Sequence, residues 1–201
     1  MPSFTGVHAT TQSRMQGILR SGFNPSSNGR RGAGVYFWHL GPYTSRICEV
    51  WYQTRKHHYR ADYDPRLAII EGDLECAEDE YLDFEDPITK DEVVKLLAGK
   101  NLTNTQARDN GILTKIYDEY IEGIERELGY HFVIVRSCLT FPQMHNHDWY
   151  PFEAVGLPTA YVVRDLQGIR NLRKAGNGDK NGPESGSGLK KGLSEPVRYD
   201  K

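Results

Sequence analysis

The sequence is poor in the residues that staple, anchor or ligate. It has three cysteines in 201 residues, Cys48, Cys76 and Cys138, scattered and outside any Cys-x-x-Cys. Such a set supports neither a disulfide framework nor zinc-ligand spacing. Long apolar runs are missing too: no stretch approaches the roughly 18 apolar residues of a membrane-spanning helix. The opening Met1-Pro2-Ser3-Phe4 has no basic stretch leading into an apolar run, so no signal peptide is expected and the cytoplasm is the expected compartment. An excess of one charge is absent as well. With 25 Lys and Arg against 27 Asp and Glu the formal net charge is -2, so no overall basic field announces nucleic acid, although a local basic patch is compatible with that balance. There is no internal repeat.

What is present is ordinary globular composition, 38% hydrophobic and 26% charged. A chain of this length buries a core without staples. Apolar periodicity predicts a strand at Phe4 to Val7. A helix capped by Thr10 or Thr11 follows, with Met15, Ile18 and Leu19 on one face and Gly22 as its stop. Asn24 to Gly34 is rich in Pro, Ser, Asn and Gly and reads as a loop. Val35 to Trp38 is a strand candidate, and a helix from Tyr43 places Ile47, Val50, Trp51 and Thr54 at helical spacing. Leu67 to Leu74 reads as a strand, Asp79 to Asp86 as an acidic surface loop, and Val93, Leu96 and Leu97 as a short helix ending at Gly99. The clearest helical stripe runs from Ile112 to Leu128 and stops at Gly129. Its tyrosines leave a partner surface as an alternative to core packing. Phe132 to Leu139, Ala160 to Arg164 and Ile169 to Leu172 read as strands, with a long aromatic loop from Phe141 to Pro158. Beyond Lys174 the chain turns to Gly, Asn, Ser, Asp and Lys, which cannot bury enough surface to offset ordering. Residues 1–174 are therefore expected to form one α+β domain and residues 175–201 a flexible tail.

Three segments stand out in order: Gly6-Val7-His8-Ala9-Thr10 at a strand end, Gly32-Ala33-Gly34-Val35-Tyr36-Phe37, and Thr159-Ala160-Tyr161-Val162-Val163-Arg164-Asp165. Singly, each has a structural explanation: a satisfied histidine, a Gly-x-Gly turn, an aromatic strand in a core. The Gly-x-Gly also lacks the third glycine and following helix of a dinucleotide fingerprint. Together, His8-Ala9, then Gly17-Ile18-Leu19-Arg20-Ser21-Gly22-Phe23, then Gly32 to Phe37 resemble the catalytic half of the poly(ADP-ribose) polymerase and diphtheria-toxin-like transferases. Leu67 to Leu74 resembles a further strand of that family, and Tyr161 to Asp165 with Gly168-Ile169 its last strands. The resemblance covers roughly residues 4 to 76 and 158 to 173.

The resemblance implies an ADP-ribosyltransferase-like split antiparallel β-sheet core with flanking helices, and NAD as co-substrate. It implies His8 at a ribose hydroxyl, the backbone of Ala9 on the nicotinamide carboxamide with Thr10 beside it, and Tyr36 stacked on the nicotinamide ring. Gly32 and Gly34 would let the backbone approach the ligand closely. Thr44, or Ser45, falls where the family hydrogen-bonds the carboxamide. A second stacking aromatic is expected near Ile47, with Trp38, Tyr43 or Trp51 as substitutes. The family's glutamate position is Ala160, or Thr159 in a slipped register. Glu153, in the aromatic setting Trp149-Tyr150-Pro151-Phe152, is the candidate replacement carboxylate, ahead of Asp148 and Asp165. The catalytic candidates are thus His8, Tyr36 and Glu153.

The implied function is mono-ADP-ribosyl transfer by a small stand-alone toxin or defence effector, with an inhibitory antitoxin-type protein as a possible partner. NAD hydrolysis and an inactive NAD- or ADP-ribose-binding module are the alternatives. Loss of the glutamate at Ala160 predicts single additions rather than polymer. The aromatic loop and the basic strip Arg55, Lys56, His57, His58 and Arg60 favour single-stranded nucleic acid, RNA above all, over protein as acceptor. His145, His147 and Asp148 are too few and too local to predict a metal, and no membrane partner is expected.

Overall fold

Thr11 ends the first strand and starts the first helix. β1 (Ser3–Thr11) runs straight into α1 (Gln12–Ser21), and the Thr11 hydroxyl accepts a hydrogen bond from the backbone of Arg14. A threonine suits both roles, because its branched side chain favours extended backbone and its oxygen satisfies an orphan helix N–H. The strand is longer than the apolar run Phe4 to Val7 predicts. It pairs with β3 (Leu67–Glu75) at nine consecutive positions, from Ser3↔Glu75 to Thr11↔Leu67. Gly22, at φ +82°, closes α1 with its N–H on the Ile18 carbonyl.

The computed structural model describes residues 1–139 and 157–176. Glu153, the histidines of the aromatic loop and most of the polar tail lie outside them. The described residues form a mixed α+β fold with four α-helices and one seven-stranded, mostly antiparallel sheet of order β4-β5-β6-β2-β1-β3-β7. The remaining strands are β2 (Val35–His39), β4 (Tyr81–Asp83), β5 (Ile134–Cys138), β6 (Thr159–Val163) and β7 (Ile169–Lys174). The expected surface loop Asp79 to Asp86 contains β4, which pairs parallel to β5 with Leu82 opposite Val135. Leu82 is buried while Tyr81 and Asp83 are half-buried, so three residues make the strand and the acidic flanks hide it in sequence.

The helices are α1, α2 (Thr44–Arg55), α3 (Pro87–Gly99) and α4 (Asn110–Leu128). Asp86 caps α3 on the N–H groups of Ile88 and Thr89 with Pro87 in its first turn, so the helix is longer than its apolar cluster predicts. Asp109 caps α4, and Gly129 ends it in the left-handed conformation.

The sheet sorts the core. Met15, Phe23, Phe37, Ile70, Leu74, Tyr161 and Val163 pack together with α1. Val93, Leu113, Tyr117 and Ile121 of α3 and α4 cover Val135 and Val162. Ile47 and Cys48 of α2 cover Val7, Ala9, Trp38 and Ala160. Tyr36 packs against both of the last two groups. Cys48 and Cys76 are buried, Cys138 is half-buried, and all three are free thiols. Among the described residues no helix is long and apolar enough to cross a membrane.

The joint at the sheet's centre positions His8 and Tyr36. β1 and β2 pair at two positions only, Gly6↔His39 and Val7↔Trp38. β1 then continues alongside β3 to Thr11, while β2 pairs with β6 from Val35 to Trp38. The sheet is continuous, yet its two halves separate past Val7.

Candidate functional site

A cleft of about 1190 Å³ opens where β1 and β2 part. His8, Ala9 and Thr10 line it from β1, and Val35 to Trp38 from β2. Its volume exceeds the roughly 300–1,000 Å³ usual for small-molecule sites, leaving room for a large ligand.

The His8 Nδ1 lies 2.9 Å from the Tyr36 carbonyl oxygen. A carbonyl only accepts, so Nδ1 carries the proton and Nε2 presents a lone pair. The rings of Phe23 and Phe37 meet the imidazole edge-on, at 4.9 and 5.8 Å between centroids. Desolvation by this packing holds the His8 pKa below its ordinary 6.5, with the Tyr36 hydrogen bond opposing. At neutral pH the ring is an uncharged acceptor.

Strand parity gives Ala9 its role. The Thr5 carbonyl accepts from the Leu40 N–H, so the backbone groups of Thr5, Val7 and Ala9 share the edge facing β2. At Ala9 the last β1–β2 pair has been passed, and its N–H and C=O face the cleft with no β2 residue opposite. Beside it, Thr10 is 3% exposed and lines the cleft, and no hydrogen bond reaches its hydroxyl among the described residues. A buried hydroxyl without a partner is costly unless something in the cleft satisfies it.

Tyr36 is fixed from below. Its hydroxyl donates to the Gly32 carbonyl at 2.7 Å and accepts from the Arg31 N–H at 2.8 Å. Burial pushes its pKa well above the ordinary tyrosine value, with Arg31 acting against the shift. The loop before β2 is held by α4. The Thr114 hydroxyl accepts from the Gly29 N–H at 2.8 Å, and Asp118 accepts from the Ala33 N–H at 3.0 Å and from Arg164 Nη1 at 2.6 Å.

The glycines of this loop are required by their own surroundings. A Cβ on Gly32 would meet Asp118 Oδ1 at 2.7 Å, and one on Gly34 the Val163 carbonyl oxygen at 2.7 Å; both have positive φ, +100° and +148°. Their close approaches are to the protein itself, and of the two only Gly34 lines the cleft. The glycine that accommodates Tyr36 is Gly29, where any Cβ would collide with the tyrosine ring.

Thr44 and Ser45 are not brought to the cleft. The Thr44 hydroxyl accepts from the Gly41 N–H at 2.7 Å and donates to the His39 carbonyl at 2.8 Å, so it closes the turn into α2. Ser45 is exposed at the start of the same helix and is not among the cleft-lining residues. Of the candidate second aromatics, Trp38 and Trp51 line the cleft, whereas Tyr43 is half-exposed outside it. Tyr59 joins them, a residue the sequence did not single out. Ala160 lines the cleft too, 1% exposed, and carries no acid.

The charge of the lining is the least anticipated feature. Among its described residues are four arginines, Arg14, Arg30, Arg55 and Arg108, and a single acid, Asp109. Asp109 Oδ1 accepts from the Ile112 N–H at 2.9 Å as the cap of α4. The capping signal is readable locally; nothing local shows that this cap borders a cleft formed by residues a hundred positions earlier. A second cavity of about 520 Å³ lies past Arg30, walled by Leu97, Leu102, Leu113 and Tyr117. No three His, Cys, Asp or Glu side chains among the described residues gather as a metal site.

The chain matches no protein-family model, no curated protein and no solved structure.

Proposed function

We propose that this chain is an NAD-dependent mono-ADP-ribosyltransferase with a fold of that family's type, binding NAD in the β1–β2 cleft. The observation that carries the reading is the bond from the His8 ring to the Tyr36 backbone carbonyl, 28 residues apart, in a cleft that both residues line where the strands separate. The backbone edge at Ala9 past the last β1–β2 pair, the buried hydroxyl of Thr10 and the arginine-rich lining suit a ligand with an amide, hydroxyls and a diphosphate.

NAD when bound supplies a C–N glycosidic bond whose cleavage releases neutral nicotinamide and leaves positive charge on the ribose. The Ala9 N–H and C=O hold the carboxamide, which orients the leaving ring. Tyr36 gives it an aromatic wall, fixed by the Gly32 and Arg31 backbone. His8, neutral and acceptor at Nε2, takes a hydrogen bond from a ribose hydroxyl. A carboxylate near the ribose stabilises the developing charge. Glu153 is the proposed source; Asp109 is the acid that the described lining itself offers. The acceptor is a macromolecule, single-stranded nucleic acid before protein.

The test is incubation with NAD labelled in the adenylate half, with total RNA, single-stranded DNA and cell protein offered separately. Free nicotinamide with labelled macromolecule is the expected result. Free nicotinamide with free ADP-ribose would make the protein a hydrolase. Binding without nicotinamide release would make it a binding module.

A further inference from the structure

The run Arg55-Lys56-His57-His58-Tyr59-Arg60 is basic in sequence, but the fold divides it. Arg55 ends α2, and His58 lies in the 3-10 turn Lys56–Tyr59 that follows. Arg55, His58 and Tyr59 line the cleft, whereas Lys56, His57 and Arg60 do not. All five basic side chains are exposed, and helical spacing places two of them on the cleft's rim and the others off it.

The rim pair meets no countercharge among the described residues. Neither Arg55 nor His58 forms an ion pair among the described residues. Arg14, which lines the same cleft from α1, is held by Asp62 at 2.7 and 2.9 Å and sits 4.9 Å from the Tyr59 ring centroid. Asp62 is therefore engaged with Arg14, and the Thr11 hydroxyl bonds it as well. Asp109, the single described acid of the lining, caps α4. The His58 ring lies against His57, tilted by 41°, with ring centroids 3.8 Å apart. Its own desolvation, then the positive charges of His57, Arg55 and Arg14, hold its pKa below the ordinary value. That cluster is short of an anion.

We propose that Arg55 and His58 form a phosphate subsite on the rim of the cleft, placed to take the diphosphate of a dinucleotide bound within it. A guanidinium gives two parallel N–H donors to phosphate oxygens, and an imidazole N–H adds a third bond to the charged phosphate. The assignment of the phosphate to a dinucleotide rests on the transferase reading; the subsite itself rests on the geometry and charge of these side chains. A backbone phosphate of a nucleic-acid acceptor has the same chemistry, and the experiment separates the two sources.

Inorganic pyrophosphate is titrated by calorimetry into the full chain and into Arg55→Gln, His58→Gln and Lys56→Gln. Arg55→Gln and His58→Gln should each weaken binding about tenfold, the loss of one charge-assisted bond. Lys56→Gln removes charge outside the cleft and should stay within about twofold, as expected of a screened surface charge. Pyrophosphate should also raise the His58 pKa in an imidazole NMR titration. Equal weakening in all three variants, or in none, overturns the subsite.

A second arm measures the KM for NAD in nicotinamide release and the affinity for a single-stranded oligonucleotide. A raised KM with kcat nearly unchanged in Arg55→Gln assigns the phosphate to NAD. A weakened oligonucleotide with KM unmoved keeps the subsite and assigns it to the acceptor backbone. Pyrophosphate binding at these residues in a wild-type chain that never releases nicotinamide keeps the subsite and removes the transferase reading. Nicotinamide release with pyrophosphate affinity unmoved in both cleft variants does the reverse.

Discussion

His8 donates from Nδ1 to the Tyr36 carbonyl across 2.9 Å, just past the point where the backbone pairing of their strands has stopped. The bond extends the β1–β2 joint by one side chain. It also leaves Nε2 of the same ring as an acceptor toward the cleft.

This relationship fixes a tautomer that nitrogen NMR reads directly. At pH 7 His8 should be neutral, protonated at Nδ1, with a pKa below 6.5 because desolvation lowers it. The sign for stability follows. The unfolded chain binds the proton more readily, so the His8 contribution is present above about pH 6.5 and is lost as pH falls through the folded pKa. NAD affinity should fall over the same window as Nε2 gains a proton. A His8 that titrates at or above 6.5, or carries its proton on Nε2, would sink the assignment.

Tyr36 separates loop support from ligand contact. Tyr36→Phe keeps the ring but leaves the Gly32 carbonyl and the Arg31 N–H without their partner. The expected cost is about 1–3 kcal/mol in denaturant unfolding. Tyr36→Ala removes the ring as well and should depress nicotinamide release far more than Tyr36→Phe does. Equal release from both variants would show that the ring has no part in NAD use.

Asp118 tests whether α4 frames the loop. Its carboxylate takes Arg164 Nη1 and the Ala33 N–H, and the Arg164 and Asp118 side chains are 16% and 21% exposed. That exposure lies between the surface regime, worth little, and the buried regime, where losing one partner is severe. Asp118→Asn should therefore cost about 2 kcal/mol. With the glycine loop less constrained, the KM for NAD should rise while the far-ultraviolet circular dichroism stays that of the wild type. A rise in neither unfolding susceptibility nor KM would remove α4 from the site's support.

The carboxylate is settled by two isosteric changes. Glu153→Gln should lower nicotinamide release by at least ~10²-fold if that carboxylate stabilises charge on the ribose. Asp109→Asn should leave release near wild type, its effect confined to the α4 cap. The opposite pattern transfers the role to Asp109, and full activity in both variants excludes either acid.

Much of the fold was legible because its signals are local. Thr11, Gly22 and Gly129 end or begin elements through bonds to residues at most four positions away, so sequence spacing is enough to place them. The α4 stripe is legible for the same reason, since helical periodicity puts Leu113, Tyr117 and Ile121 on one buried face. β4 was not legible. Three residues give no usable period, and Leu82 is buried only because Val135 lies opposite it in the parallel pair.

The sequence by itself determined the alternation of elements, the caps, and the order in which His8, the glycine loop and Tyr36 arrive. Tertiary structure alone decided what those residues face. It parted β1 from β2 after Val7, which turned the Ala9 backbone into an open edge. It satisfied Thr44 within its own turn, and it set Gly29 against the Tyr36 ring. It also gathered Arg14, Arg55 and Arg108 around one cleft from three different segments. The physical reason is range. Caps and periodicity are written in bonds between near neighbours, whereas a cleft is the space between elements whose packing depends on the whole chain.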